Sequence, residues 1–279
     1  MRSAWRREEV EQILLAKMTW EEVAERIKGG YDIAVIPTGA IEQHGPMLPL
    51  DVDIYNCYEI ILKTAERVSK DVKPVVIPPI WFGFSWFFMD FPGTITLKEQ
   101  TFTNVVIEVS KSLIHHGFKK IVIVDGHGGN HGALHEARYR LKAQTDAFVV
   151  VVGLGTFVPA DLVKELFKPP IHHADEVETA MSLALGNVVH MDRVVDEVPK
   201  GPLPKYIKFD YSAPPPKVLY PLRMKEWTKS GSWGYPSRAT KEKGEKYVEA
   251  IVNGFAEFLR ELKTLDWKEK LGNKYRYFE

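Results

Sequence analysis

Four short runs of apolar, largely β-branched residues recur along the first half of the chain, and they constrain the fold more than any other feature. The runs are DIAVIP at 32–37, VVIP at 75–78, KIVIVD at 120–125 and FVVVV at 148–152. Near-continuous apolar runs of this length are typical of strands that are covered on both faces. Longer segments separate them, so the chain predicts strands that alternate with helices.

Helix signals occupy the segments between these strands. Thr19 and Glu22 form a capping-box pattern ahead of an apolar helical face, and Gly29 ends that helix. A second box at 96–99 predicts a helix that runs to His116. Further helices are expected from just after Asp53, from about His131, and over 240–262 at the C-terminal end.

Alternating strands and helices predict an α/β protein with a mostly parallel sheet and helices on both faces, which is a three-layer α/β/α sandwich. The sequence shows neither an internal repeat nor a composition break that marks a second domain, so residues 1–279 are interpreted as one domain. Residues 196–238 are rich in proline, glycine and aromatic residues. They are too aromatic for a disordered linker, so we expect an ordered excursion that covers the site or makes a subunit contact.

Charge and cysteine content limit the partners and the compartment. Lys+Arg and Asp+Glu both number 37, which gives no electrostatic reason to expect nucleic acid or an anionic membrane as partner. The single cysteine, Cys57, excludes an intramolecular disulfide and a Cys-rich metal site, and it fits a reducing compartment. No apolar run approaches the roughly 20 residues that span a bilayer. We expect a soluble cytoplasmic protein.

Polar residues cluster directly after the first and third predicted strands. The first strand leads into EQHGPMLPLDVD at 42–53, and the third leads into DGHGGNH at 125–131. Ligand sites of parallel sheets lie outside the carboxyl ends of the strands, so we expect these clusters to meet. Two glycines after His127 let the backbone approach a ligand or adopt positive φ, and Asn130 could cap the next helix.

A third cluster, HHADEVET, occupies 172–179. If a helix begins near Ala174, His173 lies at its start and Glu178 one turn further on. Glu176 could simply complement the helix dipole. Each histidine alone is readily explained as a capping or hydrogen-bonded residue, but His, Glu and Asp together without Cys suit Zn²⁺, Mn²⁺ or a pair of such ions.

The motifs resemble the creatininase (creatinine amidohydrolase) family. EQHGPxLPLxxD at 42–53 is similar to the family signature, and FPGT at 91–94, DGHGGN at 125–130, HAxExET at 173–179 and GxPxxAT at 234–240 follow in the family's order. The likeness covers the chain from about Thr19 to Gly244. It implies a creatininase-like α/β fold with a binuclear metal centre, often assembled as a homohexamer, so a homo-oligomer is expected.

The resemblance also implies a set of metal ligands. By position, Glu42 and His127 would hold one ion, His44 would hold the other, and Asp53 would bridge them. Creatininase carries a glutamate two residues after the ligand histidine, where this chain has Gly129; the acid ligand of the second ion is then expected to be Glu178. The ions would be zinc or manganese, with iron as an alternative.

Two further residues are expected to act in catalysis. His173 would be the general acid or base that protonates the leaving group, and Glu176 is the second candidate. Asp51 stands where many relatives have glycine, so we expect it to be solvated or to support a ligand.

Two departures from the family bear on the substrate. Met47 stands where many members have histidine, and the aromatic run Trp86, Phe87 and Phe88 precedes FPGT where many have Glu-His. A pocket walled by that run would favour a flat or cyclic substrate, although aromatic side chains more often serve as core or subunit contact.

The activity that the resemblance implies is metal-dependent hydrolysis of a C–N bond in a small cyclic or formylated amide. An alternative within the family is hydrolytic C–C ring opening of a cyclic polyol ketone, as in 3-dehydro-scyllo-inosose hydrolase. A non-catalytic metal-stabilised oligomer is the third interpretation; retention of every expected ligand argues against it, because unused buried carboxylates are costly.

Overall fold

A computed structural model describes residues 13–199, 220–221 and 223–266 of the chain. Within these residues the sheet has four parallel strands in the order β2-β1-β3-β4. The strands are β1 (Ile33–Thr38), β2 (Val75–Val76), β3 (Lys120–Asp125) and β4 (Phe148–Gly153). The four predicted strands are confirmed, and most of their bounds move by one or two residues.

Helices cover both faces of this sheet, which confirms the α/β fold class. On one face, β1 and β3 pack against helices that include α2 and α8, and on the other they pack against α3 and α4. Full burial of one Val, Ile or Phe side chain contributes about 1.5–3 kcal/mol, so these two layers supply most of the stability. The described helices are α1 (Trp20–Lys28), α2 (Val52–Arg67), α3 (Glu99–His115), α4 (His131–Gln144), α5 (Ala160–Leu166), α6 (Glu176–Leu185), α7 (Met224–Trp227) and α8 (Lys241–Thr264).

The predicted capping boxes have different outcomes. Ahead of α1 the box forms: Thr19 N donates to Glu22 Oε2 at 2.6 Å, and Glu22 N donates to Thr19 Oγ1 at 3.3 Å. The second box is wrong, because the residue flanking α3 is Lys98 and no side chain caps the helix. The Thr96 hydroxyl is used in the preceding loop, where it accepts a hydrogen bond from Ser85 N.

The ends of β1 and β3 lie side by side, and this brings two of the polar clusters together. Thr38 is paired with Asp125 at the last position of the ladder, and Gly126 N donates to Thr38 O at 3.0 Å. The helix after the first cluster begins at Val52, two residues before the predicted start, so Asp53 lies inside the first turn of α2.

The remaining predictions concern the C-terminal part. The long final helix is confirmed as α8, and Thr240 caps it by accepting a hydrogen bond from Lys243 N. Residues 200–219, within the predicted excursion, lie outside the described residues. Its later part packs beside the third cluster, since His173 and Trp233 are paired through their backbones. Every described helix is too short or too polar to cross a lipid bilayer.

Candidate metal centre

The five expected metal ligands converge at the carboxyl edge of the sheet. Asp53 lies between two imidazoles: its Oδ1 is 3.2 Å from His44 Nε2, and its Oδ2 is 3.1 Å from His127 Nδ1. Glu42 Oε2 lies 3.2 Å from His127 Nε2, and Glu178 Oε2 lies 3.7 Å from His44 Nε2. These side chains can therefore hold cations in two groups that share Asp53, namely Glu42 with Asp53 and His127, and His44 with Asp53 and Glu178.

Several atoms of this cluster are buried without a hydrogen-bond partner among the described residues. They are both carboxylate oxygens of Glu42, His44 Nε2 and Asp53 Oδ2. A buried polar atom left unpaired costs about 1–3 kcal/mol, so four of them close together favour a bound cation. Nitrogen and carboxylate oxygen donors without sulfur fit Zn²⁺ or Mn²⁺.

Two backbone carbonyls determine which imidazole nitrogens can bind a metal ion. His44 Nδ1 lies 3.1 Å from Glu42 O, and His127 Nε2 lies 3.1 Å from Phe84 O. Because a carbonyl only accepts, each of these nitrogens carries the proton. The lone pairs are then on His44 Nε2 and His127 Nδ1, the two nitrogens that face Asp53, as expected of metal-binding histidines.

Electrostatic interactions in this cluster favour protonated histidines and raise the pKa values of two of its carboxyl groups. Burial by itself would lower the pKa of His44, but the carboxylate of Asp53, followed by Glu178, raises it to about 10. Burial likewise opposes the charge of His127, and Glu42 and Asp53 raise its pKa to about 10. Burial raises the pKa of Glu42 and of Glu178. Divalent cations would displace these protons, so metal binding and proton release are coupled here.

The loop at 42–53 positions its ligands through a closed turn. Glu42 N donates to Leu50 O at 2.9 Å, and Gly45 takes a φ of +65°. This turn returns the chain to α2, whose first turn carries Asp53, as the proline-rich sequence predicts. Asp51 lies just before the helix, where its Oδ1 accepts a hydrogen bond from Asn187 Nδ2 at 3.3 Å.

Neither Gly128 nor Gly129 adopts positive φ, so that part of the prediction is wrong. A Cβ added to Gly129 would overlap His127 Nε2, the carbonyl of Phe84 and the ring of Phe87. Asn130 flanks α4 but does not cap it through its side chain. Its amide instead accepts from Phe84 N at 2.9 Å and donates to Gly39 O at 3.0 Å, which ties two loops of the site together.

His173 is buried beside the ligand cluster. Its ring lies between His44, at a centroid distance of 4.4 Å, and Phe88, which stacks on it at 4.2 Å and 24°. Its Nδ1 is 3.8 Å from Glu42 Oε1. Burial, together with the charge of His44, lowers the pKa of His173 well below its ordinary value, so the imidazole is neutral and can accept a proton.

The helix that carries Glu178 begins at Glu176, two residues later than predicted. Asp175 caps it, since its Oδ1 accepts from Val177 N at 2.8 Å and from Glu178 N at 3.1 Å. Ala174 takes a φ of +47° and donates its N–H to Glu178 Oε2 at 2.5 Å. Our sequence interpretation missed Asp175, although an Asp directly before Glu-x-Glu is a recognisable cap signal.

Glu176 is the one expected catalytic residue that the structure does not bring into the cluster. Residues two apart on a helix point about 200° apart, so Glu178 reaches the ligands while Glu176 points elsewhere. The Glu176 carboxylate forms an ion pair with Lys243 of α8 and accepts a long hydrogen bond from Lys168 N at 3.4 Å. Its contacts are those of a residue that joins two helices.

A cavity of about 820 Å³ opens over the cluster. Phe87 and Phe88 line it, whereas Trp86 is 48% exposed and lies outside its wall. Met47 is fully buried with Leu48 and packs away from the cavity. The aromatic wall is therefore made of two of the three expected residues.

The chain is similar to known proteins over most of its length. The creatininase family model, described as creatinine amidohydrolase, matches residues 16–259. The chain is 30% identical over 271 residues to creatinine amidohydrolase of Pseudomonas putida, with 89% of this chain and 96% of that protein covered. It is 27% identical over 264 residues to 3-dehydro-scyllo-inosose hydrolase of Thermotoga maritima, with 88% and 82% covered. A solved creatininase mutant of Zn-Zn type matches with a TM-score of 0.75 and 27% identity over 91% of this chain and 99% of that one.

Proposed function

The chain belongs to the creatininase family of hydrolases, and on that premise we propose that it uses two divalent metal ions to cleave a C–N bond of a small cyclic amide. The observation that carries the proposal is the pair of ligand groups that share Asp53. Four buried atoms without a hydrogen-bond partner among the described residues fall within these groups, and this supports a cluster that binds cations.

The ligands divide between two ions. Glu42 and His127 would hold one, His44 and Glu178 the other, and the carboxylate of Asp53 would reach both. When bound, two such ions lower the pKa of a water molecule and polarise the carbonyl group of a substrate. Zinc and manganese both fit the donor set.

His173 supplies the proton transfer in this proposal. Its Nε2 donates to the carbonyl of Gln43 at 2.8 Å, so the lone pair of the neutral ring is on Nδ1. That atom can take a proton from the attacking water and return it to the leaving nitrogen. Glu42 Oε1, at 3.8 Å, stabilises the imidazolium that forms in between. We leave Glu176 out of the reacting set because its carboxylate is paired with Lys243.

The cavity wall supports a flat or cyclic substrate. Phe87 presents a partly exposed ring beside His127, and stacking on such a surface favours planar groups, whereas Phe88 is buried and stacks on His173. Hydrolytic C–C ring opening of a cyclic polyol ketone is the second candidate. It needs the same attack on a carbonyl group, and the similarity to the Thermotoga maritima hydrolase over 88% of this chain favours it.

An activity screen of the metal-loaded protein tests the proposal. The Zn²⁺- and Mn²⁺-loaded forms would be assayed against creatinine, formamidopyrimidine nucleotides and cyclic inosose-type ketones, with metal content measured in parallel. We expect two ions per chain and turnover of a C–N substrate. Equal turnover by the protein after chelation would overturn the metal mechanism, and turnover of the ketones alone would favour the second candidate. The predicted homo-oligomer would be measured by light scattering on the same samples.

A further inference from the structure

Gln43 lies between two of the metal ligands in the chain and contacts three other segments. Its side chain is buried, at 5% exposure. Its Oε1 accepts a hydrogen bond from Gly45 N at 3.0 Å, and its Nε2 donates to the carbonyl of Gly231 at 3.1 Å. Its backbone N–H donates to Thr94 Oγ1 at 3.2 Å. The oxygen and nitrogen of the amide thus have distinct partners, which fixes its orientation.

The backbone carbonyl of Gln43 holds the ring of His173. The distance from His173 Nε2 to Gln43 O is 2.8 Å, which requires the proton on Nε2 because two lone pairs would repel each other at that separation. The amide nitrogen of Gln43 lies 3.1 Å from the same ring nitrogen. The main chain and the side chain of Gln43 therefore both lie against the Nε2 edge of His173.

The segment 228–234, in the later part of the proline- and aromatic-rich excursion, packs against Gln43. Gly231 takes a φ of +89° and donates its N–H to Thr228 Oγ1 at 3.2 Å. A Cβ added to Gly231 would overlap Gln43 Oε1, so a larger residue here would push the amide aside. Two residues on, Trp233 N donates to His173 O at 2.8 Å.

We propose that Gln43 is a positioning residue for His173, and that the segment 228–234 sets the position of that ring through the Gln43–Gly231 hydrogen bond. The inference rests on the proposed function, in which His173 transfers a proton. Turning the Gln43 peptide would move the acceptor of Nε2–H and swing Nδ1 away from the ligand cluster. A displacement of about 1 Å at a reacting group can cost roughly 100-fold in rate.

The test compares Gly231→Ala with Gly30→Ala. Both glycines have positive φ, +89° and +81°, so both variants carry similar backbone strain, but a Cβ on Gly30 meets no atom within 4 Å. We expect Gly231→Ala to retain two ions per chain, to lower kcat by roughly 10- to 100-fold and to leave KM nearly unchanged. Gly30→Ala should match the wild type in kcat and metal content.

A double variant separates positioning from general damage. In a Gln43→Ala background the added Cβ of Gly231→Ala has room, so its effect on kcat should shrink to less than about threefold. An equal, independent loss in both backgrounds would overturn the proposal. So would a loss of metal ions in Gly231→Ala that accounts for the loss of rate.

An NMR measurement decides the question without turnover. In the zinc-loaded protein labelled with ¹⁵N-histidine, the His173 Nε2–H resonance should be protected from exchange with water and assigned by its loss in His173→Ala. We expect that protection to fall in Gly231→Ala and in Gln43→Ala but not in Gly30→Ala; unchanged protection in the first two would refute the positioning role. If the wild type turns over no substrate in the screen, the proposed function fails while this measurement still decides the role of Gln43.

Discussion

Replacing Asp53 by asparagine removes the charge that joins the two ligand groups and keeps the size of the side chain. This carboxylate contacts His44 and His127 at 3.2 and 3.1 Å. Burial opposes its charge, but the two histidines lower the pKa of Asp53 below its ordinary value, so folding favours the ionised form. Removing one partner of a buried pair costs about 3–5 kcal/mol; we expect about 3, because the histidines can lose their protons in response.

The larger effect concerns metal binding. A ligand present at 100 times its Kd stabilises a fold by about 2.7 kcal/mol per site. For a domain of this size, 1 kcal/mol shifts Tm by roughly 2–4 °C, so each ion should raise Tm by roughly 5–11 °C. Asp53→Asn should abolish most of this rise, since the bridge belongs to both ligand groups.

The assay is calorimetry on chelator-treated protein titrated with Zn²⁺ or Mn²⁺, with the ions bound per chain counted by elemental analysis. Asp51→Asn is the matched control, because it removes the same charge two residues earlier from a carboxylate that bonds Asn187. The control should keep two ions and the full shift in Tm. An Asp53→Asn protein that also binds two ions with a wild-type shift would show that Asp53 is not the bridge.

Three further predictions follow from the same site. His173→Ala should keep both ions while turnover falls by about 10²–10⁴-fold, and its Tm should fall because the buried ring packs against Phe88. The partly buried His135→Ala is the control, and normal turnover in His173→Ala would remove His173 as the proton-transfer group. Gly129→Ala should displace His127 and weaken metal binding, and a denaturant titration should show a loss of about 1–3 kcal/mol in the free energy of unfolding. Gly132→Ala is the control, because its Cβ meets only the tip of Glu99 at 3.1 Å, and it should show none of these effects. Metal binding should release protons and become tighter as pH rises, because His44 and His127 have pKa values of about 10 without metal. These raised pKa values also stabilise the fold without metal. That stabilisation is complete below about pH 6.5 and is lost as pH rises through about 10. Calorimetric titrations in buffers of different ionisation enthalpy measure this release, and pH-independent uptake would contradict it.

The order of strands and helices could be predicted from the sequence because it depends on local patterns. The apolar run at 120–125 forms a strand over its whole length. Thr19 and Glu22, which are three residues apart, form the capping box of α1. The meeting of Glu42 and His127 could be predicted as well, since motif resemblance and the rule for parallel sheets both place them at one edge.

Local patterns failed where several partners compete for one polar side chain. Thr96 stands at a capping-box position, yet its hydroxyl bonds the loop at Ser85, and Asn130 stands at a cap position, yet its amide joins two loops. Both side chains lie close to hydrogen-bond partners outside their helix, and they bond those partners in place of the helix terminus.

The sequence by itself determined the fold class and which residues could hold metal ions, because strand burial, helix caps and ligand chemistry are properties of short segments. Only the tertiary structure decided the place of Glu176: the start of α6 turns Glu178 to the cluster, as expected, and Glu176 to Lys243. It also decided the place of His173, which depends on contacts with Gln43 and Phe88 from segments far away in the chain. Side chains two residues apart on a helix point about 200° apart, so the start of α6 at the Asp175 cap decides which acid faces the cluster.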